Sequence, residues 1–298
     1  MTLMTRLPIP VAAPLASLLL GACIPRLPVV DDPCATWEEP GLFRLVVAPD
    51  DSKKRDALVY VPASEGPRDL VFSLHGGGMT ASSMRDVAQW ESLADRDGFV
   101  VVYPEGLATL LGFRYWSAWK DRERKDDVAY LDLVAREARA QLCGDRVLAT
   151  GFSNGGMMTS RWGCQGKQPN ALVTAAGPLM TPDDSCDGDP RPIRAYHGTA
   201  DETVPYEGGP GNGRFAVDYR SAEESIAVFR ERNQCSEAEP EVILERGDTT
   251  CVAWDCVAAT ELCTVEGFGH MWPGGANHGS TQANATGDAW LWFGDVVE

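Results

Sequence analysis

Residues 146–162 constrain this chain more than any other stretch. Arg146-Val147-Leu148-Ala149-Thr150 is a short apolar run of the kind a buried strand needs, and Gly156-Met157-Met158-Thr159-Ser160-Arg161-Trp162 reads as the first turns of a helix. Between them lies Gly151-Phe152-Ser153-Asn154-Gly155. A strand that becomes a helix within so few residues leaves the connecting serine little conformational choice. Its small neighbours permit a strained backbone geometry, so that its hydroxyl projects from the sheet edge while the N–H groups opening the helix face the same point. A glycine-rich turn without chemistry has the same five letters, and a chain with 30 Gly can produce them by chance. The turn acquires meaning from what the rest of the chain places beside it.

Apolar runs at 42–47, 57–61, 70–74, 99–103, 146–150, 171–175, 193–196 and 261–265 predict strands, and amphipathic patterns at 83–97, 126–142, 155–164, 222–233 and 285–297 predict helices. Strands that alternate with helices imply an α/β fold, a mostly parallel doubly wound sheet with an antiparallel edge made by the two leading strands. Functional groups then gather at the strand C-terminal ends. The 298 residues are 44% hydrophobic and 23% charged, as in an ordinary globular protein, and no shift in composition marks a second domain. Residues 34–298 are therefore taken as one domain. Within it, 235–263 is a cysteine-rich, strand-like elaboration, and the glycine-rich 207–214 around Pro210 is expected to be a mobile loop.

The N-terminus has Arg6, a short apolar run over 9–20 broken by Pro10 and Pro14, and then Leu20-Gly21-Ala22-Cys23. That run is too short to span a membrane. It resembles a bacterial lipoprotein signal over 1–22, with Cys23 as the lipidated residue and 23–33 as a tether. The chain is then expected at the cell surface or outside the cell, touching a membrane only through its lipid. The remaining cysteines, Cys34, Cys143, Cys164, Cys186, Cys235, Cys251, Cys256 and Cys263, form an even set, as disulfides in an oxidising compartment require. If 249–254 and 260–265 form a hairpin, Cys251 faces Cys263 and Cys235 is left for Cys256; pairing among the other four stays open. The spacings and the lack of clustered histidines disfavour a zinc site. A formal charge of -17 disfavours nucleic acid and polyanionic substrates and leaves a neutral substrate, monomeric or polymeric, as the better partner.

A serine hydroxyl needs a base to take its proton and a third group to orient that base. The chain has 4 His. With the nucleophile first, then the acid, then the histidine, His75 is excluded as the base. His270 follows the last predicted strand through Gly267-Phe268-Gly269 and is the expected base, with His278 in reserve. Asp201, in His197-Gly198-Thr199-Ala200-Asp201 after another strand, is the expected acid; Glu202 and the Asp183-Asp184 pair are fallbacks. Two donors must meet the developing oxyanion. Gly77 in Leu74-His75-Gly76-Gly77-Gly78 can offer one N–H, and Asn154 the other. Trp116, Trp119 and Trp272 are candidate platforms for a sugar or phenolic ring, Trp272 the foremost.

Five stretches carry a family resemblance: Leu74 to Gly78; Trp116 with Asp126-Asp127-Val128; Gly151 to Met158; His197 to Tyr206 with Gly208-Gly209; and Gly269-His270-Met271-Trp272-Pro273-Gly274-Gly275. In these the chain resembles the secreted esterases grouped as polyhydroxybutyrate depolymerases and feruloyl or acetylxylan esterases, carbohydrate esterase type α/β-hydrolases. The resemblance implies a triad of Ser153, Asp201 and His270 and no separate cap domain. Met271 and Phe268 depart from it and are expected to reshape the acyl pocket. The expected activity is serine-dependent hydrolysis of feruloyl, acetyl or hydroxybutyrate-type esters through an acyl-enzyme, with no cofactor and no metal. The alternatives are a carbohydrate-binding surface lipoprotein without activity on the same fold, and a serine peptidase.

Overall fold

The computed structural model describes residues 24–47, 55–119, 126–213, 217–276 and 282–297. Cys23, with the expected signal sequence before it, and His278 lie outside the described residues. The elements in chain order are β1 (Gly41–Val47), β2 (Arg55–Val61), β3 (Arg68–Leu74), α1 (Ala81–Ala88), α2 (Glu91–Asp97), β4 (Val100–Pro104), β5 (Leu107–Ala108), β6 (Arg114–Tyr115), α3 (Asp127–Leu142), β7 (Gly144–Phe152), α4 (Asn154–Gln165), β8 (Ala171–Ala175), β9 (Ile193–Gly198), β10 (Gly209–Pro210), β11 (Asp218–Tyr219), α5 (Ala222–Arg232), β12 (Glu241–Arg246), β13 (Thr249–Trp254), β14 (Thr260–Val265) and α6 (Ala285–Val296).

Ten strands form one sheet in the order β1-β2-β4-β3-β7-β8-β9-β14-β13-β12. The run from β4 to β14 is parallel, β1 and β2 make an antiparallel edge, and β13 and β12 make a second one at the far side. This is the mostly parallel, doubly wound sheet read from the alternation of strands and helices, and the α/β-hydrolase architecture that the resemblance implies. Two-residue periodicity divides the strand side chains between two cores. Leu70, Phe72, Leu74, Val147 and Ala149 pack toward α3, α4 and α5, while Val71, Val101, Leu148 and Val173 pack toward α1, α2 and α6. β7 sits between β3 and β8, buried on both faces, so the turn that ends it is held by the centre of the sheet.

Three local features differ from the sequence reading. The helix expected over 83–97 is two helices: Gln89 takes the left-handed conformation (φ 53°) and closes α1 on Arg85 O, which frees Trp90 to bury against Phe99. The loop at 207–214 is tied down over part of its length, because Gly209 pairs with Tyr219 and Asn212 N–H donates to Glu202 O (2.8 Å). The segment read as a tether docks at its start: Leu27 is buried, its N–H donates to Arg44 O (2.9 Å), and Pro25 O accepts from Arg44 N–H (2.8 Å).

Four disulfides brace the domain. Cys251–Cys263 bridges directly opposed residues of β13 and β14, and Cys235–Cys256 closes the neighbouring loop. The pairs left open by the sequence are Cys34–Cys143, which ties the N-terminal segment to the end of α3, and Cys164–Cys186, which ties α4 to the turn after β8. Such bridges persist in an oxidising compartment.

Candidate active site

β7 ends at Phe152, and Ser153 turns the chain into α4 with φ 56° and ψ -124°, a backbone region L-residues rarely occupy. Close approach enforces it. A Cβ on Gly151 would lie 2.3 Å from Gly155 O, and one on Gly155 would lie 2.3 Å from Leu74 O, so both glycines of the motif are required by packing. Ser153 N–H donates to Ala175 O (2.8 Å), which pins the turn to the end of β8.

The turn brings the serine to His270. His270 Nε2 lies 2.8 Å from Ser153 Oγ, and His270 Nδ1 lies 2.6 Å from Asp201 Oδ2. His270 leaves β14 through a turn held by Gly267 N–H on Thr199 Oγ1 (2.8 Å), and its ring rests on Phe152, 5.0 Å between centroids. Asp201 follows β9 and is buried; its Oδ1 accepts from the N–H groups of Thr203 and Val204, both at 2.9 Å. Burial works to raise its pKa, but the neighbouring His197 and the hydrogen-bonded His270 outweigh it and hold the carboxyl well below the usual carboxylate range. Asp201 is thus an anion near neutral pH. His197 Nε2 donates to Val204 O (2.8 Å) and stands 3.6 Å from Asp201 Oδ2, bracing the loop that presents the carboxylate. The fallback acids sit elsewhere: Glu202 accepts from the Asn212 amide, and Asp183 pairs with Arg220.

The two expected oxyanion donors lie beside the serine. Gly77 and Asn154 both line the pocket that contains Ser153 and His270. His75 Nδ1 donates to Gly76 O (2.8 Å), Met79 N–H donates to the same oxygen (3.1 Å), and His75 Nε2 accepts from Gly106 N–H (2.9 Å). Because the 76–77 peptide is planar and trans, holding its carbonyl this way turns the Gly77 N–H away from His75 and Met79. Burial pushes the His75 pKa down to about 4, so the ring keeps the one tautomer that serves both partners. His75 is therefore a positioning residue. His75→Ala is expected to lower kcat about 10²-fold with KM little changed, the signature of a misplaced oxyanion donor. His75→Asn, whose side-chain N–H can still reach Gly76 O, is expected to recover much of it. Steady-state kinetics on a soluble ester checks both, and a rise in KM at constant kcat would show that the ring only shapes the pocket.

Trp116 and Trp272, expected as ring platforms, are buried to 0% and 2% exposure and do not line the pocket. Each indole is held by a hydrogen bond inside the fold. Trp272 Nε1 donates to Thr286 Oγ1 (2.9 Å), locking the His270 loop onto α6. Trp116 Nε1 donates to His75 O (2.9 Å), while its backbone N–H and O pair with the Asn154 side chain at 2.7 and 3.1 Å. Trp116 thus joins the two segments that carry the paired donors. Asp127 anchors the next residue, accepting from Ser117 N–H (2.7 Å) and pairing with Arg55, and Asp126 caps α3 through Ala129 N–H. Phe268 packs with Val265, Ala283 and Met271, beneath the His270 loop and away from the acyl pocket.

The pocket itself encloses about 200 Å³. Its walls are Phe113, Trp119, Phe152 and Tyr219 with Met79, Met157, Thr203 and Val204. Of these only Trp119 stood out in the sequence. The others sit on loops and turns whose direction a linear pattern does not carry, whereas His75 and His197 were legible as paired His-Gly strand ends.

No protein-family model matches the chain. Over 170 residues it is 32% identical to the bifunctional acetylxylan esterase/xylanase XynS20E of Neocallimastix patriciarum, an alignment that covers 56% of this chain and 24% of that protein. It is 30% identical over 240 residues to the Nocardia uniformis subsp. tsuyamanensis protein described as "Putative esterase NocK", covering 72% of this chain and 68% of that one. It is 31% identical over 153 residues to feruloyl esterase C of Emericella nidulans, covering 48% and 52%. The chain thus spans about a quarter of the first relative's length and about half of the last. Among solved structures, the acetyl xylan esterase from Aspergillus awamori superposes with a TM-score of 0.63 at 14% identity, covering 85% of this chain and 99% of that one, a likeness of fold.

Proposed function

The chain belongs to the carbohydrate-esterase-like family of α/β-hydrolases, and from that premise we propose that it hydrolyses neutral carboxylic esters of the feruloyl or acetyl type borne on polysaccharide, through an acyl-enzyme on Ser153. The observation that carries this is the relay of 2.8 Å from Ser153 Oγ to His270 Nε2 and 2.6 Å from His270 Nδ1 to Asp201.

In that mechanism Ser153 Oγ attacks the ester carbonyl while His270 Nε2 takes the hydroxyl proton, and Asp201 steadies the imidazolium. The carbonyl oxygen, now an anion, accepts hydrogen bonds from the Gly77 and Asn154 N–H groups. Collapse breaks the C–O bond and the alcohol leaves with the proton from His270. Water, deprotonated by the same nitrogen, then attacks the acyl carbon; the acid departs and Ser153 regains its proton. The bond that forms and the bond that breaks share one carbon, so one pair of oxyanion donors serves both halves.

The walls Phe113, Trp119, Phe152 and Tyr219 favour a planar aromatic acyl group over a bare acetyl. Methyl ferulate is accordingly expected to show a higher kcat/KM than methyl acetate, and a fluorophosphonate probe is expected to label Ser153 stoichiometrically, as read by peptide mass mapping. The reverse order of substrates would move the assignment to acetyl esters. An oxidised, folded protein that neither turns over esters nor takes the label would overturn it. The four disulfides support a working site outside the cytoplasm, checked by locating the disulfide-bonded form in fractionated cells.

A further inference from the structure

The β5–β6 hairpin carries two leucines that the fold leaves in water. Leu107 pairs with Tyr115 and Ala108 with Arg114. The chain turns between them through Thr109-Leu110-Leu111-Gly112-Phe113, closed by Thr109 N–H on Phe113 O (2.8 Å), Gly112 N–H on Thr109 O (3.0 Å) and Phe113 N–H on Thr109 Oγ1 (3.1 Å). A turn with this many internal bonds holds its side chains in set directions. Phe113 points inward, lines the acyl pocket and lies so tight on the oxyanion loop that a Cβ on Gly78 would meet its ring at 2.8 Å. Gly78 N–H donates to Arg114 O (2.7 Å), so the hairpin and the loop move as one. Leu110 and Leu111, at the tip of the same turn, stand in solvent at 107% and 95% exposure.

Two leucines left in water forgo the stabilisation that burial gives such side chains. Val257 and Leu291 are exposed singly, Val242 and Ile243 on the edge strand β12 are about half covered, and Val29, exposed beside the mostly covered Val30, lies in the N-terminal segment and does not line the pocket. The leucine pair is also set apart by charge. Residues 106–118 contain Arg114 and no acid, in a chain with 43 Asp and Glu and a net charge of -17. An anionic surface would be repelled by the molecule as a whole, whereas an uncharged apolar surface meets no opposing charge at this tip.

We infer that Leu110 and Leu111 form an apolar prong that seats the pocket mouth against the uncharged surface of a water-insoluble ester, aggregated or solid, a step that rests on the ester-hydrolase reading above. Phe113, two residues beyond the prong, is a wall of the acyl pocket, so the prong and the pocket address the same surface at once. The occupant is the substrate phase itself.

Tributyrin offers one ester in two states, dissolved below its solubility limit and as droplets above it. Leu110→Ser/Leu111→Ser is expected to lower the droplet rate about tenfold relative to the dissolved rate. The same double substitution, placed in Ser153→Ala protein so that no turnover intrudes, is expected to abolish most of the adsorption to octyl-coated silica beads. Equal adsorption with and without the leucines, or equal droplet-to-dissolved ratios, would overturn the inference. So would a leucine-dependent dimer in sedimentation, which would make the prong a contact between copies. Wild-type hydrolysis of dissolved tributyrin reports on the ester-hydrolase reading alone, so each can fail without the other.

Discussion

Ser153→Ala is expected to reduce kcat on soluble esters by about 10⁵-fold or more, with KM little changed. The size follows from the loss of the group that forms the covalent bond in the proposed mechanism, and the constancy of KM follows from pocket walls that the substitution leaves intact. Alanine keeps the Cβ, so the backbone at φ 56° stays as strained as before and the thermal midpoint is expected to hold near the wild-type value. Steady-state turnover of p-nitrophenyl butyrate, with melting followed in parallel, separates the two. Activity within tenfold of wild type in a folded Ser153→Ala protein would remove the serine from the reaction.

Asp201→Asn is expected to cost about 10⁴-fold in kcat near neutral pH. The reason is orientation. Thr203 and Val204 already donate two N–H groups to Oδ1, so an amide there keeps its oxygen toward them and turns its NH₂ toward His270 Nδ1. The imidazole must then accept at Nδ1 and carry its proton on Nε2, where it can no longer take one from Ser153. Stability gives a second readout. The native-state pKa of Asp201 is depressed, so its carboxylate contributes stability that is present above the unfolded value of about 4 and is lost as pH falls toward the native value. The wild-type advantage in melting temperature over Asp201→Asn is therefore expected to be full at neutral pH and to shrink on acidification below about pH 4. An advantage that grew in acid would contradict the ionised, hydrogen-bonded state of this carboxylate.

Much of this was legible because strand ends carry their own punctuation. The Gly-x-Ser-x-Gly turn, the His-Gly pairs that follow β3 and end β9, and Gly267 ahead of His270 mark where apolar runs stop, and a parallel sheet brings such stops to one edge. Cys251 and Cys263 could be paired because hairpin register is set by the turn between the strands. What escaped depends on side-chain direction. A tryptophan in a loop can stack on a substrate or bury itself, and the choice at Trp116 and Trp272 is made by His75 O and Thr286 Oγ1, partners 41 and 14 residues away in sequence. Phe113, Phe152 and Tyr219 reach the pocket by tertiary placement that no periodicity reports. The break at Gln89 escaped for a related reason, since it serves the burial of Trp90 and leaves no glycine or proline as a sign.

The bond between Trp116 and both of its neighbours has a consequence for how such a site can change. The Gly77 arm and the Asn154 arm belong to different strand ends, yet both are fastened to one residue, by its indole on one side and its backbone on the other. The two halves of the proposed anion cradle cannot shift independently of each other. Any shift at Trp116 is felt by both, so a change of acyl group is more easily met at the surrounding walls, by Trp119 and the hairpin bearing Phe113. A rigid common strut inside, with replaceable panels around it, lets one reaction be kept while its customers change.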